Sequence, residues 1–237
     1  MAANPSYRHT PRLLITSGPT YEPIDAVRFI GNRSSGRLGA ALADAADSRD
    51  WPVTALIGCQ SQKPARSGVR VCPFRTTADL GELLLQEVPS TDILIMAAAV
   101  ADFRPRLAPG QLESKIRRSS AGLSLELEPT PDLLASCAPL RRPNHLFVGF
   151  ALEPKADLIA SAQSKLQRKK IDLVVANPLE TMDALTIEAF LVGRPDSPFA
   201  QPIATPGPMT KPDFAEWLLD HLQTMHASIV AESTHAR

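Results

Sequence analysis

The chain has 237 residues, 44% of them hydrophobic, with 25 Lys and Arg balancing 25 Asp and Glu. A neutral chain of ordinary charge content is neither a disordered segment nor the basic surface expected of a nucleic-acid binder. Its length suits one large domain or two small ones, burying roughly 70–75% of the unfolded surface without staples.

The opening, MAANPSYRHTPR, lacks an apolar core, so residues 1–11 read as a flexible tail and not as a secretory signal. Residues 13–17 (LLITS) are a short buried strand ended by Gly18-Pro19. A loop then leads to a helix over 38–46 (LGAALADAA), with Ser34 or Ser35 as its N-cap. Residues 53–57 and 69–73 are two further strands. Residues 77–87 are an amphipathic helix with a threonine cap, and 92–100 the clearest buried strand. Residues 123–127 alternate as a half-exposed strand does. A helix opens over 132–137, a strand follows at 145–149, a helix at 157–170, and strands at 171–176 and 186–192. After a Pro/Gly-rich loop, 195–212, a last helix spans 214–227, and 228–237 read as a second flexible tail.

Residues 12–227 therefore predict a single α/β domain, a Rossmann-like, mostly parallel sheet with helices on both faces. The longest apolar run, 93–101, is half a membrane span, so a soluble cytoplasmic protein with no membrane partner follows by elimination. Three widely spaced cysteines, Cys59, Cys72 and Cys137, suggest neither a zinc ribbon nor a disulfide framework and fit a reducing compartment. The 22 prolines gather in connections, and long ordered loops are commonly functional.

Ligands of such sheets bind beyond the C-terminal strand ends, so the residues after each strand matter most. After the first strand, residues 32–39 (NRSSGRLG) run into a helix N-terminus. Its N–H groups and dipole favour an anion; Ser34 and Ser35 add hydroxyls, and Gly36 permits close approach. The same residues would also serve a capped helix after an ordinary turn. Asp102, after the fourth strand, suits a ribose hydroxyl, a metal, an amide, or merely a turn. Lys165 and Lys169 share a helix face at i, i+4, a like-charge cost of a few tenths of a kcal/mol unless an anion lies between them. The bland alternative is a solvated face that includes Arg168 and Lys170. Phe150 could stack on a base or simply pack. No H-E-x-x-H and no G-x-S-x-G occurs. A site of amides, hydroxyls and lysines suits the positioning of a nucleotide's phosphates.

Residues 14–25 (LITSGPTYEPID) and 27–36 (VRFIGNRSSG), followed by 97–105 (AAAVADFRP), 114–116 (SKI), 130–133 (TPDL), 148–151 (VGFA) and 165–177, closely resemble the phosphopantothenoylcysteine synthetases. The resemblance covers residues 12–226. It implies a ligase that joins 4'-phosphopantothenate to L-cysteine through an acyl-nucleotide, using CTP ahead of ATP, with magnesium and as a homodimer. By resemblance Asn32 and Lys115 are catalytic, Asn32 holding the intermediate. Gly18, Ser34, Ser35, Gly36, Asp102, Lys115, Thr130, Pro131, Asp132, Leu133, Phe150, Lys165 and Lys169 would bind nucleotide. Arg28, Asn32, Ala98, Ala99 and Asp102 would bind phosphopantothenate, Arg28 from across the dimer. The metal ligands are not assigned.

Two departures stand out. The family's Lys-Ile-Lys reads Lys115-Ile116-Arg117, which keeps charge but not shape. Leu185 and Ile187 replace polar residues in a segment near the subunit contact of relatives. The flavin-dependent decarboxylase half has no counterpart, which implies a separate decarboxylase. A nicotinamide-dependent reductase would want Tyr-x-x-x-Lys, but Tyr7 and Tyr21 are followed by Pro11 and Asp25. A regulatory protein that kept the pocket and lost the chemistry is disfavoured by the intact Asn32 and Lys115.

Overall fold

The computed structural model describes residues 10–120, 122–197 and 199–235; all but residues 10 and 11 of the expected N-terminal tail lie outside them. Eight strands form the main sheet: β1 (Leu13–Ser17), β2 (Val53–Gly58), β3 (Arg70–Phe74), β4 (Ile93–Met96), β5 (Leu146–Glu153), β6 (Leu173–Pro178), β7 (Phe190–Gly193) and β8 (Ile203–Ala204). Their order is β3-β2-β1-β4-β5-β6-β7-β8. The first six are parallel, and β7 and β8 join antiparallel. This is the Rossmann order with an antiparallel extension, as expected of apolar strands alternating with helices.

Strands covered on both faces must be apolar throughout, and β1 and β4 are buried at every position. Ile15 sits between Ala55 and Ile95 in register. Side chains alternate across the sheet. Leu13 and Ile15 meet Leu42 of helix α1 (Arg37–Asp47) and Leu218 and Leu222 of helix α5 (Lys211–His235). Leu14 faces the other way, into a cluster with Leu80 and Leu84 of α2 (Thr77–Glu87), Leu133 of the short α3 (Leu133–Ser136) and Leu166 of α4 (Leu158–Lys169). Thus α1 and α5 cover one face, and α2, α3 and α4 the other.

Several boundaries differ from the sequence reading. The chain leaves β4 after Met96: the Ala97 and Ala98 N–H groups donate to Thr16 near the end of β1, and Ala99 exchanges bonds with Gly18 and Thr20 in the loop beyond it. The strand expected at 123–127 lies at Leu127–Pro129, paired with Phe103–Pro105. The run 186–192 splits: Thr186–Ile187 pairs with Met209–Thr210, while β7 joins the main sheet. Finally, α5 passes Ala227 and ends at His235, because its apolar stripe continues to Ile229, which still packs on the core. Residues 228–235 are therefore helix and not a tail.

At the N-terminal edge of the sheet the charges are paired. Asp92, just before β4, takes the Arg12 backbone N–H (2.9 Å) and guanidinium (3.1 Å), with Arg142 at 3.6 Å. Asp172, just before β6, accepts the Phe147 N–H at 2.8 Å and is paired by Arg141 and, at 3.4 Å, by Arg194. His145, before β5, is buried against Arg142. No helix among the described residues is long and apolar enough to cross a membrane.

Candidate active site

The connections leaving β1 and β4 part company at the switch point of the sheet. Before they diverge they are tied together. The Thr16 hydroxyl accepts the Ala98 N–H (3.1 Å), the Thr20 hydroxyl accepts the Ala101 N–H (2.9 Å), and the Ala99 N–H donates to the Gly18 carbonyl (2.9 Å). The Asn32 amide then spans the opening and donates to the Val100 carbonyl at 2.9 Å.

Glycines let these layers approach. Gly18 has φ +84°, and a Cβ there would lie 1.8 Å from the Ser61 hydroxyl oxygen. Gly39 leaves room for Ser17, whose hydroxyl oxygen would be 2.2 Å from a Cβ, so α1 presses directly onto the end of β1. The N-cap of α1 is Gly36, in the left-handed region at φ 73°, and no side chain caps the helix. Neither Ser34 nor Ser35 is the cap; the nearer hydroxyl, on Ser35, is 3.5 Å from the Arg37 nitrogen. The early N–H groups of a helix have no intrahelical acceptor, and here that end opens onto a cleft.

The cleft holds about 740 Å³. From the loop after β1 come Asn32, Ser34, Ser35 and Gly36; from the loop after β4, Ala98, Ala99 and Asp102. The far wall carries Thr130, Pro131, Asp132, Leu133 and Phe150, with Lys165 and Lys169 of α4. Fourteen of the seventeen residues singled out in the sequence therefore line one space.

Three do not. Gly18 lies beneath the floor against Ser61. Arg28 sits on a ribbon, Tyr21–Pro23 with Phe29–Gly31, where it donates to the Ile116 carbonyl (2.8 Å) and pairs with Asp25 (3.5 Å). Lys115 belongs to the segment this ribbon holds, since the Ile116 N–H donates to Asp25 at 3.0 Å. The expectation that Lys115 shares one cleft with Lys165 and Lys169 fails within the single chain: Asp25 and Arg28 anchor its segment elsewhere.

The wall's electrostatics follow from burial. The Lys165 ammonium is pushed below its ordinary pKa by burial, then by the charge of Lys169; it donates to the Phe150 carbonyl at 2.5 Å. Lys169 pairs with Asp132 at 3.0 Å. Burial works to raise the Asp132 carboxyl, but the Ala135 N–H and Lys169 outweigh it and leave it below its usual value. Cys137, buried behind this wall, is pushed up to about 11 by burial and by Asp132, which keeps it a thiol.

Sequence reasoning missed Arg33, Arg37, Asn177, Asp183 and Lys211, which also line the cleft. Asn177 is the next-to-last residue of β6, so the strand-end rule could have found it. Arg33 pairs with Asp183 across the rim, 150 positions apart, and no local pattern announces that.

Comparison with known proteins agrees with this architecture. Residues 9–225 match the DNA/pantothenate metabolism flavoprotein C-terminal domain. The chain is 43% identical over 169 residues to a cysteine/cysteine sulfinic acid decarboxylase from an unknown prokaryotic organism, covering 71% of this chain and 46% of that protein. It is 36% identical over 219 residues to the coenzyme A biosynthesis bifunctional protein CoaBC of Thermococcus kodakarensis, covering 90% and 51%. The chain thus spans about half the length of the curated relatives it matches. The crystal structure of the C-terminal domain of a CoaBC protein superposes with a TM-score of 0.75 at 28% identity, covering 92% of this chain and 96% of that one. Shared sequence over nearly the whole domain and a shared fold make this chain a member of the DNA/pantothenate metabolism flavoprotein C-terminal domain family.

Proposed function

We propose that the chain is a nucleotide-dependent ligase of coenzyme A biosynthesis that joins 4'-phosphopantothenate to L-cysteine in the cytoplasm. One observation carries the proposal: the uncapped N-terminus of α1 and the Lys165–Lys169 face of α4 look into one cleft at the switch point, with Asn32 spanning its opening.

A carboxylate is a poor acyl donor because it would have to expel oxide. In the proposed first step its oxygen attacks the α-phosphorus of a nucleoside triphosphate; the bond to the bridging oxygen breaks and pyrophosphate leaves with the electron pair. The cysteine amine then attacks the acyl carbonyl, loses a proton, and expels the nucleoside monophosphate. No protein nucleophile is needed. The chain positions anions, and fixed donors do this without reorganising. Lys165 and Lys169 offset charge at the triphosphate. The Asn32 amide, held by Val100, meets the acyl-nucleotide, and Phe150 and Thr130 to Leu133 form the nucleotide wall. CTP is the preferred nucleotide ahead of ATP.

Among the described residues no three His, Cys, Asp or Glu side chains cluster as metal ligands. Asp102, which lines the cleft, would hold magnesium brought in with the nucleotide, and the ion would supply charge neutralisation there. Arg28 and Lys115, outside their own cleft, fit a homodimer in which they serve the second copy.

The test is direct. Purified protein given 4'-phosphopantothenate, cysteine, magnesium and either CTP or ATP should release pyrophosphate and form a cysteine-dependent product. No product with either nucleotide would refute the ligase.

A further inference from the structure

Two cations of the cleft have no role in the reading above. Arg37 is the first residue of α1, and Lys211 is the first residue of α5. Each stands at the helix end where the dipole disfavours positive charge. Both line the main cleft, and both line a neighbouring cavity of about 530 Å³ between α1 and the start of α5. Neither has a carboxylate within 4.0 Å among the described residues. The two feel one another, because burial first and then the Arg37 charge push the Lys211 ammonium below its ordinary pKa, with only Asp183 opposing. Asp183 is itself committed to Arg33.

Folding gains nothing from this arrangement. Two like charges at two helix starts, one of them half-buried, are mutually unfavourable until an anion joins them. They also approach from the face opposite Lys165 and Lys169: α1 and α5 cover one side of the sheet, α4 the other. An extended polyanion lying across the C-terminal edge would meet cations at both ends.

Resting on the ligase reading, we infer that Arg37 and Lys211 are the seat of the two outer phosphates of the triphosphate, and so of the departing pyrophosphate. Lys165 and Lys169 then offset charge at the inner, α-phosphate end of the same triphosphate. The division explains why cations are supplied from both faces, and it makes pyrophosphate a ligand in its own right.

The full chain is titrated calorimetrically with inorganic pyrophosphate, with CMP or AMP to match the working nucleotide, and with 4'-phosphopantothenate. Arg37→Gln and Lys211→Gln should each weaken pyrophosphate about 10-fold or more, the loss of one charged contact. Nucleoside monophosphate and 4'-phosphopantothenate should stay within about 2-fold, because their contacts lie elsewhere. Lys211→Arg should retain most of the pyrophosphate affinity. Because each Gln variant removes a cation from a helix start, its melting temperature should equal or exceed that of the wild type. Pyrophosphate affinity within about 2-fold of wild type in both variants overturns the inference. So does an equal loss of all three ligands, a loss confined to 4'-phosphopantothenate, or a fall in melting temperature that parallels the loss of binding. A wild type that forms no product removes the ligase; an active wild type whose variants keep their pyrophosphate affinity removes only this seat.

Discussion

The two edges of the sheet treat charge in opposite ways. At the N-terminal edge Asp92 and Asp172 are enclosed by Arg12, Arg141, Arg142 and Arg194. At the C-terminal edge Arg37, Lys165 and Lys211 have no carboxylate within 4.0 Å among the described residues. The fold could have neutralised both edges, since acids and bases are equal in number. The cleft edge it neutralises only in part, at Lys169–Asp132 and Arg33–Asp183. Charges matched inside the chain hold the chain together; charges left unmatched are set aside for something outside it.

The sharpest way to break this contrast is to strip a carboxylate from the paired edge. Asp172→Ala leaves two arginines and the Phe147 N–H facing a void, which should cost about 3–5 kcal/mol in urea unfolding. Ligand affinity of the folded fraction should hold within about 2-fold, because the cleft lies at the other end of the strands. A cost below about 1 kcal/mol would mean that the paired edge is ornamental.

Removing a cation from the unpaired edge should do the reverse. Lys165→Gln should slow product formation about 100-fold, yet leave unfolding stability unchanged or improved, because a desolvated charge beside Lys169 is gone. Stability and turnover falling together would erase the distinction.

The third prediction sharpens it by pH. His145 is held down to about 4 by burial first and then by Arg142, against an ordinary 6.5, with Asp92 opposing. The native state keeps it neutral while the unfolded chain takes up a proton. Stability should therefore fall as pH drops from 6.5 towards 4, by on the order of 2 kcal/mol from this residue. Urea titrations of His145→Gln should lack that part of the slope. An unchanged slope would place the acid sensitivity elsewhere.

The sequence revealed the sheet better than the cleft, for a physical reason. Strands such as Leu13–Ser17 are buried on both faces, so burial alone writes their residues. The same apolar signal misled at Ala97 to Val100: those residues are apolar because they line a wall, and their backbone bonds go to Thr16, Gly18 and Thr20. Ser34 and Ser35 looked like caps because serine usually is one, whereas Gly36 takes the cap and leaves Ser35 only a long 3.5 Å bond from the Arg37 N–H. Lys169 and Asp132 were both legible as cleft residues, but their pairing was not. Lys211 was hidden by Pro212, which reads as punctuation before a helix. Arg28 and Lys115 were each named from the family resemblance, for different tasks, and no sequence pattern links them; the structure shows that Asp25 binds their segments together away from the cleft.

The cleft takes its walls from positions as far apart as Ser17 and Lys211, and α5 completes it by docking on α1. No partial chain can assemble it, so occupancy reports on the finished tertiary structure. A bound triphosphate would act as a latch across the whole molecule: at a hundred times its dissociation constant it would add about 2.7 kcal/mol against global unfolding. Nucleotide supply would then govern how long each copy survives proteolysis as well as how fast it turns over.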